Sequence, residues 1–106
     1  MNVKITKGKL SGTIDAICSK SQAHRYLIAA ALSDKVTTIK CKTLSADITA
    51  TANCLNAMGA EISYNDDTFT VVPISTVPKT AEIDCGESGS TLRFILPIVC
   101  ALGINT

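Results

Sequence analysis

A chain of 106 residues, 46% hydrophobic and 18% charged, is of single-domain length and too apolar to remain disordered. Ten basic and nine acidic residues are interspersed, leaving a net charge of +1 with no tryptophan and no basic run, which excludes a nucleic-acid partner. Five widely spaced cysteines without a CxxC read as reduced, mostly buried thiols, and the single histidine, His24, has no ligand-spaced partner, which argues against a metal.

The opening MNVKITKGKL carries lysines but no continuous apolar stretch, so it is not read as a signal peptide. Val3 and Ile5 alternate with polar neighbours as in a short strand, and Thr13 to Cys18 predict a second one after Gly12. From Ser19 the period becomes helical, with Ala23, Leu27, Ala30 and Ala31 on one face and Ser33-Asp34 as the stop. Val36 to Cys41 predict a strand. Ser45-Ala46-Asp47 supply capping side chains for a helix carrying Ile48, Ala52, Leu55 and Met58, with Gly59 at its C′ position.

Glu61 to Tyr64 and Phe69 to Val72 read as strands joined by the turn Asn65-Asp66-Asp67. Pro73 and Pro78 bracket a connector, and Ala81 to Cys85 predict a further strand. After the turn Gly86-Glu87-Ser88-Gly89 comes a helix to about Leu102, apolar on every side and therefore expected to be buried all round. Its greasy run, Phe94 to Leu102, is too short for a bilayer and contains Pro97, so no membrane partner and a soluble cytoplasmic chain are expected.

This order predicts an α/β chain of the α+β type: one βαβαββ unit over about residues 12–78 and the start of a second over 79–106. Cys18-Ser19-Lys20-Ser21 leads to a helix with Arg25, and Cys85-Gly86-Glu87-Ser88 leads to one with Arg93, 67 to 68 residues later. The second unit stops after its first helix and cannot cover its own apolar face. A carboxy-terminal remainder of the same protein, or self-association, is the expected cover.

Two helix starts carry the chemistry. Ser19 to Gln22 fit a capping box, which places Lys20 and Ser21 in the first turn, where backbone N–H groups are unpaired. A lysine there opposes the helix dipole, and an anionic ligand would relieve the conflict. Arg25, four residues after Ser21, shares its face and can grip a carboxylate or phosphate with a planar fork. The bland alternative is a set of solvated residues, and His24 reads as a surface or half-buried histidine. Gly86 to Thr91 form a second anion-ready start, with small residues leaving the helix end open. Arg93 is then a lone charge beside a greasy helix and needs a carboxylate or a water-filled opening.

Ser19 to Leu32 resemble the SKSxxHR motif of the 5-enolpyruvylshikimate-3-phosphate synthases. Ser45 to Thr51, with Leu55 and Met58-Gly59-Ala60, are similar to that family's SxDxxxT…LxxLGA stretch, and Cys85 to Arg93 to its CGxSGxTxR segment. The resemblance implies an inside-out barrel of repeated βαβαββ units. It implies transfer of the enolpyruvyl group of phosphoenolpyruvate to the 5-hydroxyl of shikimate 3-phosphate, without metal or organic cofactor. Carried over by position, Lys20 is catalytic and touches both substrates, Ser21 and Arg25 hold shikimate 3-phosphate, and Gly89 offers its N–H to phosphoenolpyruvate. Asp47 would be mainly a helix cap, and Arg93 a structural partner. Ser88 and Ser90 would shape the turn at Gly89, although Ser90 and Glu87 stand where many family members have Thr and Asn. The family's enzymes are several times longer, so an amino-terminal fragment, inactive alone, is expected. The alternatives are a UDP-N-acetylglucosamine enolpyruvyl transferase, in which Asn would replace Ser21 and Arg25 would be missing, and a non-catalytic anion-binding module.

Overall fold

The computed structural model describes all 106 residues. Helices α1 and α2 pack on a three-stranded antiparallel sheet and α3 packs on α2, in chain order α1 (Lys20–Ala31), β1 (Thr37–Lys40), α2 (Ala46–Ala57), β2 (Glu61–Asn65), β3 (Thr68–Val72) and α3 (Gly89–Leu102). The chain is thus mixed α/β, and no helix is long and apolar enough to cross a membrane.

The sheet order is β1-β3-β2. β2 and β3 form a hairpin in which Asp66 and Asp67 both take positive φ, 47° and 56°, as a two-residue turn matched to the strand twist requires. The register pairs Tyr64 with Phe69, whose ring centroids lie 4.6 Å apart. The Tyr64 hydroxyl donates to the Cys41 carbonyl at 2.7 Å, tying the hairpin to the end of β1. Phe69 and Val71 on β3 meet Leu27, Ala30 and Ala31 of α1 and Leu55 and Met58 of α2 in one core cluster.

Serine caps all three helices. The hydroxyls of Ser19, Ser45 and Ser88 accept from the amides of Gln22, Ile48 and Thr91 at 3.4, 3.3 and 3.2 Å. α2 stops at Gly59, whose φ of +104° and close approach to the Thr76 carbonyl (an added Cβ would sit 2.7 Å from it) leave room for glycine alone.

Several expected strands are not in the sheet. Residues 1 to 17 are exposed throughout and project as an arm, so the radius of gyration is 17.0 Å. A compact domain of this length has about 13 Å. Val3, Ile5 and Thr13 to Cys18 therefore pair with nothing. Ala81 to Cys85 keep an alternation of half-buried and exposed positions but pair only near their start, through the parallel bridge Thr80–Asn105. The reason is common to both: alternation describes an extended segment, whereas a strand also needs a neighbour for its N–H and C=O groups.

α3 also departs from expectation. Thr91, Ile95 and Val99, at i, i+4 and i+8, form its one buried stripe, while Leu92 and Leu96 are each 52% exposed. Only α2 packs extensively against it, so its other apolar faces are uncovered within this chain. Arg93 is exposed, so no burial conflict arises within this chain.

Cys41 and Cys54 are buried, Cys18 and Cys85 half-buried, and Cys100 exposed; all five are free. Burial beside Cys85 pushes the Cys54 thiol up to about 12, so it stays protonated and donates to the Asp84 carbonyl at 3.2 Å.

Candidate functional site

The helix amino ends converge on Asp47, in the first turn of α2. Its carboxylate accepts from Lys20 Nζ, at the start of α1, at 2.7 Å. Its carbonyl accepts from Thr91 Oγ1, in the first turn of α3, at 3.2 Å. One residue thus touches both predicted anion-binding helix starts.

The amides of Lys20 and Ser21, at the first two positions of α1, make no hydrogen bond within the chain, and neither do those of Gly89 and Ser90 at the start of α3. Lys20, Ser21, Arg25 and Gly89 are all exposed. Free donors at two neighbouring helix ends suit an anion with more than one charged group. A cavity of about 220 Å³ opens beside them, lined by Ala46, Asp47, Ala50, Cys85, Gly86, Glu87 and Ser88. The Gly86 amide is already taken by the Asp84 carboxylate at 2.8 Å, which leaves the Gly89 end as the open part of that turn.

Two electrostatic expectations need correction. Lys20 is not an unbalanced charge at a helix start, because Asp47 neutralises it. Asp47 is not the helix cap either; Ser45 is, which frees the Asp47 side chain for the ion pair. An ammonium has three N–H donors, so one bond to Asp47 leaves two for a ligand. The Lys20 hydrogen bond and charge hold the Asp47 carboxyl below the usual carboxylate range.

Arg25 has no carboxylate partner. It donates from Nη1 to the Ser21 carbonyl at 2.9 Å and lies 5.1 Å from the centroid of Phe94, on α3. That cation–π contact aims the guanidinium while leaving most of its donors unused. The two motifs are not superposable, however. Arg25 is the sixth residue of α1 and Arg93 the fifth of α3, so they point about 100° apart around their helices.

Sequence reasoning missed His24. It is 2% exposed, and its Nδ1 lies 2.7 Å from Thr51 Oγ1. The available signal was its spacing: His24 shares the helix face of Leu27 and Ala31, one turn and two turns on. Burial, assisted by the charges of Lys20 and Arg25 and opposed by that of Asp47, holds its pKa below the ordinary 6.5. Folding therefore disfavours the imidazolium. The stability from neutral His24 is complete above pH 6.5 and is lost as pH falls through the lowered folded-state value. The expected result is a urea midpoint that declines in that window. His24→Asn, which keeps a donor near Nδ1 but cannot titrate, flattens the decline; an unchanged slope in the variant refutes this assignment.

A family model described as EPSP synthase (3-phosphoshikimate 1-carboxyvinyltransferase) matches residues 5–106. A 3-phosphoshikimate 1-carboxyvinyltransferase of Clostridium beijerinckii is 42% identical over 113 aligned positions, covering 98% of the chain and 26% of the relative. A protein of the same name from Clostridium botulinum (strain Eklund 17B) is 43% identical over 92% of the chain and 24% of its own length. Another, from Brachyspira hyodysenteriae, is 38% identical over 99% and 25%. The chain spans about a quarter of the length of the curated relatives it matches.

Proposed function

The chain belongs to the EPSP synthase family, and on that premise we propose that it is the amino-terminal part of an enzyme transferring the enolpyruvyl group of phosphoenolpyruvate to the 5-hydroxyl of shikimate 3-phosphate, releasing phosphate. The observation that carries this reading is the convergence of α1, α2 and α3 on Asp47, which gathers free amides, an ammonium and a guanidinium for two anionic substrates.

In this reading Lys20 uses its two remaining N–H donors on the two substrates, close to the hydroxyl that reacts. Ser21 and Arg25 hold the shikimate carboxylate, with Arg25 pre-aimed by Phe94. The Gly89 amide, unpaired at the start of α3, meets phosphoenolpyruvate. Asp47 keeps Lys20 extended between them. These residues bind and stabilise charge; the remaining catalytic groups belong to the part of the enzyme that this chain does not span.

We also propose the finer architecture of one βαβαββ unit over about residues 12–78 and the start of another over 79–106. β1 is an edge strand, and a groove of about 520 Å³ runs between it and α1, lined in part by Tyr26, Ala29, Ala30 and Ile39. Thr13 to Cys18, placed there, would lie parallel to β1 with α1 as the crossover. The exposed Leu92 and Leu96 are apolar surface for the enzyme's remainder to cover.

The experiment compares the chain alone with a completed synthase, in which the chain is joined to the part of the Clostridium beijerinckii relative that it does not span. Charge-assisted hydrogen bonds contribute about 1.5–3 kcal/mol each, and few are available on this chain. Ordering the ligand consumes much of that, while even millimolar affinity needs about 4 kcal/mol net. The chain alone is expected to bind shikimate 3-phosphate no tighter than the millimolar range and to release no phosphate, whereas the completed synthase turns over. Micromolar binding or phosphate release by the chain alone overturns the expectation that it is inactive by itself, and a well-folded completed synthase without phosphate release overturns the reading.

A further inference from the structure

His24, Thr51 and Thr91 come from three separate stretches of sequence, one on each helix, and their side chains meet in the interior. His24 is 2% exposed and both threonines 0%. His24 Nδ1 lies 2.7 Å from Thr51 Oγ1, and Thr51 Oγ1 lies 2.7 Å from Thr91 Oγ1. Thr91 Oγ1 is also 2.8 Å from Ser88 Oγ and 3.2 Å from the Asp47 carbonyl oxygen.

The outer end sets the direction of these bonds. The Thr91 hydroxyl aims its single proton at Ser88 Oγ, 2.8 Å away, and at the Asp47 carbonyl oxygen, 3.2 Å away. With that proton committed, Thr91 Oγ1 accepts from Thr51. Thr51, committed to Thr91, accepts from His24. The ring therefore carries a proton on Nδ1, and no buried side-chain nitrogen or oxygen lacks a partner.

A core of three apolar residues would close the same space without needing this mutual satisfaction. What the hydroxyls add is direction, and the network's ends show where it points. Ser88 immediately precedes Gly89 and caps α3. Asp47 holds Lys20. His24 immediately precedes Arg25 and lies three residues after Ser21. Each residue assigned to the substrates is thus covalently adjacent to, or one hydrogen bond from, a member of the network, apart from Ser21 within the same helical turn.

We propose that His24, Thr51 and Thr91 are positioning residues that lock the amino ends of α1, α2 and α3 together, so that Lys20 and Gly89 meet the anionic groups of the reacting pair at one fixed separation. This rests on the functional reading above. Misplacement of a catalytic group by about 1 Å can cost on the order of 100-fold in rate, and the short bonds here leave less play than that.

The test exploits the shapes of valine and serine. Thr51→Val and Thr91→Val preserve volume but delete the hydroxyl, whereas Thr51→Ser and Thr91→Ser delete a methyl and keep it. In the completed synthase the valine variants are expected to lose about 30- to 100-fold in kcat/KM for both substrates, with the serine variants within about threefold of the parent. A packing role predicts the reverse order, because valine fills the space better. Nitrogen NMR of labelled histidine, assigned through the His24→Asn spectrum, is expected to report a neutral ring protonated at Nδ1. Valine variants as active as the parent, serine variants worse than valine ones, or a proton on Nε2 each overturn the proposal. Should the valine variants fail to fold, the histidine tautomer and the serine variants decide alone. A folded parent without turnover sinks the functional reading instead, a result distinct from an active parent with unimpaired valine variants.

Discussion

Replacing Lys20 with alanine in the completed synthase is expected to lower kcat by about 10²- to 10³-fold while leaving the melting temperature within a few degrees. The two halves of this expectation have separate causes. For stability, the Lys20–Asp47 pair is open to water on both sides, with side chains 57% and 34% exposed, and such pairs contribute about 0–1 kcal/mol. For catalysis, the proposed role of Lys20 places its ammonium against both anionic substrates, at a helix start whose amides are also free. Its removal leaves the Asp47 carboxylate unpaired where negative charge must enter, so repulsion adds to lost attraction. The double variant Lys20→Ala with Asp47→Asn is therefore expected to recover part of the loss. Steady-state kinetics with both substrates, alongside thermal unfolding, measure this. Near-normal turnover in Lys20→Ala would remove the residue from the mechanism.

How far this was legible in the sequence follows from the range of each interaction. Helix caps act over three residues, and Ser19, Ser45 and Ser88 were readable as helix starts for that reason. The Asp66-Asp67 turn and the Gly59 stop are equally local, each fixed by backbone angles that few residues tolerate. Strand pairing is not local. Thr13 to Cys18 have the alternation of a strand, but pairing depends on β1 and the groove beside it, which alternation cannot report. α3 misled for a related reason: an apolar composition states what a helix could bury, and only its neighbours decide what it does bury.

The site was half legible in the same sense. Lys20, Ser21, Arg25 and Gly89 stand out as residue types at helix starts, so sequence could nominate them. Their electrostatic balance depends on Asp47, 27 residues from Lys20, and no spacing rule links the two. The network behind them is no more local: Thr51 lies 27 residues from His24 and Thr91 lies 40 from Thr51. Each residue read alone is ordinary, which is how His24 passed for a surface or half-buried histidine.

Leu55→Ala is expected to remove most of the stability of the 106-residue chain. Leu55 is 0% exposed on α2, the helix that packs against α1, α3 and β2, so its side chain lies where the layers meet. Only 20 of 106 residues are buried, which makes the core thin for the length. A buried leucine truncated to alanine costs about 2–5 kcal/mol, the spread depending on how far neighbours collapse into the cavity. Here collapse is restrained on one side by the buried hydrogen bonds of Thr51, one helical turn before Leu55, which cannot shift without losing partners. The cost should fall in the upper part of that range, against total stabilities of about 5–15 kcal/mol for ordinary domains and less for thin cores. Loss of a cooperative thermal transition and of amide dispersion in the NMR spectrum is the expected outcome. Asn53→Ala, an exposed change on the same helix that improves helix propensity, is the control and should leave the transition in place. If Leu55→Ala melts with the parent, α2 is not the centre of this core, and the convergence of helix ends upon it must be held by something else.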